Sequence, residues 1–145
     1  MSRACVVDAN VAVKVFIAEE LSDVAQKLFQ NVGRRGLGRF FIPDLFYSEC
    51  TNIFWKHVRF LGYPAAQARE SLEDLRGLDL IQVPVTSLMQ DSLELALEYE
   101  ISAYDASYAA LAHAFSLPFI TADRKLIGKL EGSGIEIHWL GDLPF

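Results

Sequence analysis

Ala4-Cys5-Val6-Val7-Asp8 decides the fold: an uninterrupted apolar run, partly β-branched, ends on a single carboxylate. A run this short, closed by a polar residue, reads as a strand buried on both sides rather than as one face of a helix. Such strands belong to parallel sheets, whose faces are covered by helices. Asp8 then stands at the C-terminal tip of the strand, the end at which open α/β sheets gather their ligands.

Working outward, Ser22 ahead of Val24, Ala25, Leu28, Phe29 and Val32 marks a capped amphipathic helix that stops near Gly33, and the glycines at 33, 36 and 38 make a loop. Pro43 opens a helical stretch in which Leu45, Ile53, Phe54, Val58 and Leu61 recur at helical spacing before Gly62. Glu49 and Asn52 share a face of it. Pro64 starts another helix, with Ala68, Leu72 and Leu75, which Gly77 ends ahead of the strand Leu80-Ile81-Gln82-Val83. Thr86 is expected to cap the next helix, which turns Met89, Leu93, Ala96 and Leu97 toward the core, and an alanine-rich helix follows from Ala103 to Phe115. Pro118-Phe119-Ile120-Thr121 reads as a strand, Asp123 precedes a short helix from Arg124 to Leu130, and Ile135-Glu136-Ile137-His138-Trp139 alternates as an edge strand does. Strands separated by helices predict a three-layer α/β/α fold with a mainly parallel sheet of four or five strands. Residues 1–145 are read as one domain, since that length is close to the usual domain size.

Composition narrows the function classes. Hydrophobic residues make up 52% and charged residues 22%, ample for a core and unlike a disordered chain. The cysteines, Cys5 and Cys50, have neither the number nor the spacing of a disulfide framework or a zinc site, as suits a reducing cytoplasm. Asp8 and Lys14 interrupt the apolar N-terminal stretch, so no secretory signal is read there, and no window is long enough to span a membrane. A soluble cytoplasmic protein is expected. The net charge of −6 argues against a phosphate-binding surface built only from Lys and Arg. If nucleic acid binds, a metal has to help.

Taken singly, each prominent acid has a plain structural explanation. Asp8 and Asp123 can cap the helices that follow them, Asp105 can complement a helix dipole in its first turn, and Glu49 can be a solvated helix residue. Those explanations leave the combination unexplained. Val6-Val7-Asp8-Ala9-Asn10, Ser48-Glu49-Cys50-Thr51-Asn52, Tyr104-Asp105-Ala106-Ser107-Tyr108-Ala109-Ala110-Leu111-Ala112 and Ile120-Thr121-Ala122-Asp123-Arg124-Lys125-Leu126 occur in that order along nearly the whole chain. In this set the chain resembles the PIN-domain family, and within it the toxin nucleases called VapC-like. The stretch from about Phe60 to Gly77 and the tail from Gly141 carry no matching motif.

The resemblance implies that Asp8, Glu49, Asp105 and Asp123 bind Mg²⁺ or Mn²⁺ directly or through water, with Asn10 and Thr121 supporting them. Oxygen-only ligands suit hard divalent cations. Two carboxylates about 5 Å apart repel by roughly 3 kcal/mol at an effective dielectric near 20, so a cluster has to take up protons or a cation. The implied activity is metal-dependent endoribonuclease, by in-line attack of water on an RNA phosphodiester, in the toxin of a toxin–antitoxin pair. An antitoxin protein and a homodimer are the implied partners. Arg34, Arg35 and Arg39, or Arg124, Lys125 and Lys129, are candidates to hold the RNA backbone, and Phe46, Tyr47, Tyr104 and Tyr108 to stack on bases, against the plainer readings of solvated surface and core. His57, His113 and His138 show no ligand spacing and receive no catalytic role. Two rivals stay open: an Asp-nucleophile phosphatase or receiver domain, and a PIN-like module that binds without cutting.

Overall fold

The computed structural model describes residues 4–34 and 39–144, and the side chains of 32–34 lie outside that description. Five parallel strands form its sheet: β1 (Cys5–Val7), β2 (Phe40–Pro43), β3 (Leu80–Val83), β4 (Phe119–Thr121) and β5 (Ile137–Trp139), in the order β3-β2-β1-β4-β5. The helices are α1 (Ala9–Ala12), α2 (Ser22–Arg34), α3 (Leu45–Leu61), α4 (Ala65–Arg76), α5 (Met89–Tyr99), α6 (Ala103–Phe115) and α7 (Arg124–Lys129). The opening run is the central strand, with Cys5, Val6 and Val7 all buried, as its unbroken apolar character requires. From β1 the chain steps outward through β2 to β3, then crosses back to lay β4 on the other side of β1. The strand order therefore reverses at the β1–β4 junction, where open α/β sheets form their crevice.

The α/β architecture and the parallel sheet agree with the sequence reading. Several local features differ. Phe40–Pro43 is a fifth strand, paired with β1 and β3, that the sequence reading leaves unassigned. Pro43 fits at its C-terminal end, and α3 starts only at Leu45. The helix expected to stop near Gly33 runs to Arg34. Thr86 lies in a short 3-10 turn, Val85–Ser87, and α5 begins at Met89 with no side-chain cap. On α5, Met89, Leu93 and Leu97 are 64%, 53% and 68% exposed, so the expectation that they face the core is wrong. Ser92 is buried and Leu95, Ala96 and Tyr99 are half-buried, so the inward face is the one that carries these four at spacings of three and four.

The alanine-rich helix α6 shows why its composition matters. Every residue from Ala106 to Ala112 is buried, and the helix lies over β2, β1 and β4 with α5 on it. Small side chains let it approach the sheet closely enough for Tyr108 to stack on Phe119 of β4, with ring centroids 5.7 Å apart and planes 6° from parallel. Ser102 accepts a hydrogen bond from the Asp105 amide and so fixes the start of α6. At the end of α3, Gly62 takes a left-handed conformation with φ 71°, which glycine adopts without steric cost. No helix among the described residues is long and apolar enough to cross a membrane.

Candidate metal centre

Asp8 leaves the tip of β1 nearly buried, and its carboxylate does not cap α1. Instead Oδ2 accepts a 2.8 Å hydrogen bond from the Thr121 hydroxyl at the tip of β4. The Thr121 oxygen in turn accepts from the Asp123 amide at 3.1 Å and from Asn10 Nδ2 at 3.4 Å, while Asn10 Oδ1 receives the Ala122 amide at 3.1 Å. Thus Asn10 and Thr121 lock the loop after β4 onto Asp8 and the start of α1, across the strand-order reversal. Positions more than a hundred residues apart are tied at one point.

Glu49 reaches the same place from α3 and Asp105 from the first turn of α6. Asp8, Glu49 and Asp105 line one cavity of about 210 Å³, with Ala9, Asn10, Asn52, Ile53 and Lys56. Glu49 Oε1 accepts a 2.6 Å hydrogen bond from the Tyr108 hydroxyl. Asp123 stands apart from these three: its Oδ1 caps α7 by accepting from the Lys125 and Leu126 amides, and it lines the adjoining cleft. The capping explanation offered by the sequence therefore holds for Asp123 and fails for Asp8. Asp123 is still near enough to raise the Asp105 carboxyl.

Electrostatics mark the three cavity acids as one unit. Burial pushes the Asp8 carboxyl from 3.8 up to about 7, Asp105 and Glu49 push the same way, and the Thr121 hydrogen bond opposes them. Burial raises Glu49 as well, opposed by Tyr108 and reinforced by Asp105. Asp105 is raised by burial first and then by Asp123, with Ser102 and Lys129 acting in the other direction. Among the described residues none of the four acids is paired with a basic side chain. A half-buried group of carboxylates with no ion pair among the described residues is a setting in which a divalent cation gains much.

The donor set is all oxygen and matches Mg²⁺ or Mn²⁺ rather than zinc. Among the described residues, no three His, Cys, Asp or Glu side chains are already placed to enclose an ion. That is compatible with Mg²⁺, which is commonly held by one or two carboxylates with water and substrate oxygens completing the shell.

Other candidates separate cleanly. Phe46 and Tyr108 are buried, so their role is packing and, for Tyr108, the bond to Glu49. Tyr104 is exposed but lines a different hollow, with Met89 and Leu93, and Tyr47 lies away from the acids beside Thr51 and Gln82. Arg39 pairs with Asp79 at 3.5 Å, Lys129 donates to the Glu100 carbonyl, and Arg35 falls outside the described residues. Lys56 on the cavity wall escapes the sequence reading, although its place seven residues after Glu49 on one helix puts it within view. Trp139, read only as part of an edge strand, has the Arg124 guanidinium 3.5 Å above its ring.

The comparisons with known proteins bear on the fold and the family. Ribonuclease VapC3 of Pyrobaculum aerophilum is 29% identical over 126 residues, which cover 86% of this chain and 92% of that protein. Ribonuclease VapC9 of Mycobacterium tuberculosis is 34% identical over 88 residues, covering 61% of this chain and 68% of that one. Among solved structures, PAE2754 from Pyrobaculum aerophilum superposes with a TM-score of 0.68 at 26% identity, covering 97% of this chain and 86% of the other. Residues 5–129, which contain all four acids, match the PIN domain, and the chain belongs to the PIN-domain family.

Proposed function

We propose that this protein is a metal-dependent endoribonuclease, acting as the toxin of a toxin–antitoxin pair. One observation carries the reading: Asp8, Glu49 and Asp105, brought from a strand tip and two separate helices, line a single cavity and form no salt bridge among the described residues. The naming of its sequence relatives as VapC ribonucleases supports the same conclusion. Asp8, Glu49 and Asp105 would hold Mg²⁺ or Mn²⁺, with Asp123 acting from the neighbouring cleft. The cation, when bound, supplies Lewis acidity toward phosphate oxygens and lowers the pKa of a coordinated water.

The chain's own residues supply position. Thr121 and Asn10 fix the Asp8 carboxylate in one orientation, Tyr108 fixes Glu49, and Lys56 offers a positive charge beside a group that would carry the scissile phosphate. No covalent adduct with the protein is required, so a phosphoenzyme on Asp8 would favour the phosphatase rival. The exposed stripe of Met89, Leu93 and Leu97, with Tyr104 beside it, is the face proposed for homodimerisation. An antitoxin that covers the acidic cavity is the second proposed partner.

The decisive assay incubates linear and circular RNAs with Mg²⁺, Mn²⁺ or chelator, using the wild type and Asp8→Asn. Metal-dependent opening of the circles, lost in the variant, is expected. Cleavage that persists in chelator and in the variant would remove the mechanism, and RNA binding without cutting would favour the interaction-module rival.

A further inference from the structure

A cleft of about 700 Å³ adjoins the acid cavity and shares Asn10 and Ile53 with it. Its walls include Asp123, Arg124, Lys125, Lys14 and Trp139. Two of these form a built stack. The Arg124 guanidinium sits 3.5 Å from the centre of the Trp139 ring, and Trp139 lies so close to Gly141 that a Cβ there would overlap its six-membered ring. Glycine at 141 thus leaves the indole the space it occupies, and the indole supports a flat cation whose side chain is otherwise exposed.

From this arrangement we infer that the Arg124–Trp139 stack is a platform for an unpaired RNA base, that of the nucleotide adjoining the scissile phosphate. The inference rests on the ribonuclease reading for where that phosphate lies. Arg124 directly follows Asp123 and lines with it the cleft that adjoins the acid cavity, so a strand whose phosphate reaches the acids has a path past the stack. Nucleobases stack on guanidinium planes as well as on aromatic rings, and such contacts tolerate any base. Among the described residues Arg124 has no carboxylate partner, whereas Lys14 in the same cleft is tied to Glu19 at 3.0 Å, and Glu19 is shared with His57. The acidic total charge fits this division of labour. A chain of net charge −6 has little broad basic surface with which to hold RNA, and stacking supplies affinity that does not depend on net charge.

The test measures binding of labelled, short single-stranded oligoribonucleotides to the Asp8→Asn protein, in which the RNA stays intact, by fluorescence anisotropy. Each oligonucleotide is compared with versions in which one residue at a time is abasic. Arg124→Ala in that background is expected to weaken binding roughly 5- to 100-fold for intact RNA. It should have no effect once the critical base is absent. Arg124→Lys, which keeps the charge but loses the plane, should recover only part of the loss. Arg124 is exposed, so these variants are expected to fold, and the abasic series needs no variant at that position. Equal weakening with intact and abasic RNA, or no position where removing a base matters, would overturn the platform. If wild type cuts no RNA yet the base-dependent loss appears, the nuclease reading fails and the platform stands. Cleavage without base-dependent binding leaves the nuclease reading standing and removes the platform.

Discussion

The Tyr108 hydroxyl donates a 2.6 Å hydrogen bond to Glu49 Oε1, joining residues 59 positions apart. Tyr108 is buried in α6 and stacked on Phe119, so the donor is fixed before any ligand arrives. Its hydrogen bond favours the ionised carboxylate and works against the burial that raises Glu49. Tyr108→Phe keeps the ring and removes only the donor. It is expected to cost about 1–2 kcal/mol in urea unfolding. Calorimetric titration with Mn²⁺ at neutral pH should show affinity several-fold weaker, with recovery as the pH is raised. Unchanged affinity would separate Glu49 from the metal.

The Asp8 carboxyl, raised from 3.8 to about 7, ties stability to pH. Because the folded state holds this proton more tightly than the unfolded chain, the stabilisation is fully present below about pH 4. It is lost as the pH rises through about 7. Glu49 and Asp105 shift in the same direction. Denaturant unfolding of the metal-free protein should therefore show stability falling from pH 4 to pH 8, with Asp8 contributing up to about 4 kcal/mol. Asp8→Asn should flatten that part of the slope, and Mg²⁺ should offset the loss at the alkaline end. An identical slope in the variant would exclude Asp8 as its origin.

Thr121 serves both loops at once, donating to Asp8 and accepting from the Asp123 amide. Thr121→Val preserves its shape and removes both bonds together with the one Thr121 accepts from Asn10 Nδ2. Without the hydroxyl, the Asp8 carboxyl should rise further, so the pH–rate profile for RNA cleavage is expected to move to the alkaline side. Activity at pH 7 should fall about tenfold or more and return in part at higher pH. A uniform loss at every pH would point to displaced loops instead of an altered proton affinity.

Leu93 sits in the middle of the exposed stripe on α5. Leu93→Glu should leave the thermal midpoint of the monomer nearly unchanged, because the side chain touches little of the core, and convert a dimer to monomer in sedimentation. Retained dimer would move the interface elsewhere.

Much of this molecule is legible from residue order. The buried strand at 5–7, the alanine-rich helix and the strand before Asp123 are each apolar almost throughout, and that character matches their burial. Phe40–Pro43 is not legible, because its apolar run merges with the helical pattern after Asp44 and its proline resembles a helix start. The outward stripe on α5 misleads for a related reason: helical spacing shows that two faces exist, and when both carry apolar residues, Leu93 and Leu97 on one and Leu95 and Tyr99 on the other, it does not say which is covered. Of the candidate site, the acids that the structure brings into one cavity, Asp8, Glu49 and Asp105, are readable as residues of interest. Partners such as Tyr108 and Trp139 are not, because they act through neighbours contributed by other elements.

The central strand also sets a schedule. β1 is made more than a hundred residues before β4, yet one of its two ladders is filled by residues 119–121. Until then Asp8 has no Thr121 beside it, and the loop bearing Asp123 has nothing to lock onto. A chain translated only as far as Phe115 therefore holds Asp8, Glu49 and Asp105 without the clamp that aligns them, so cutting power waits for β4.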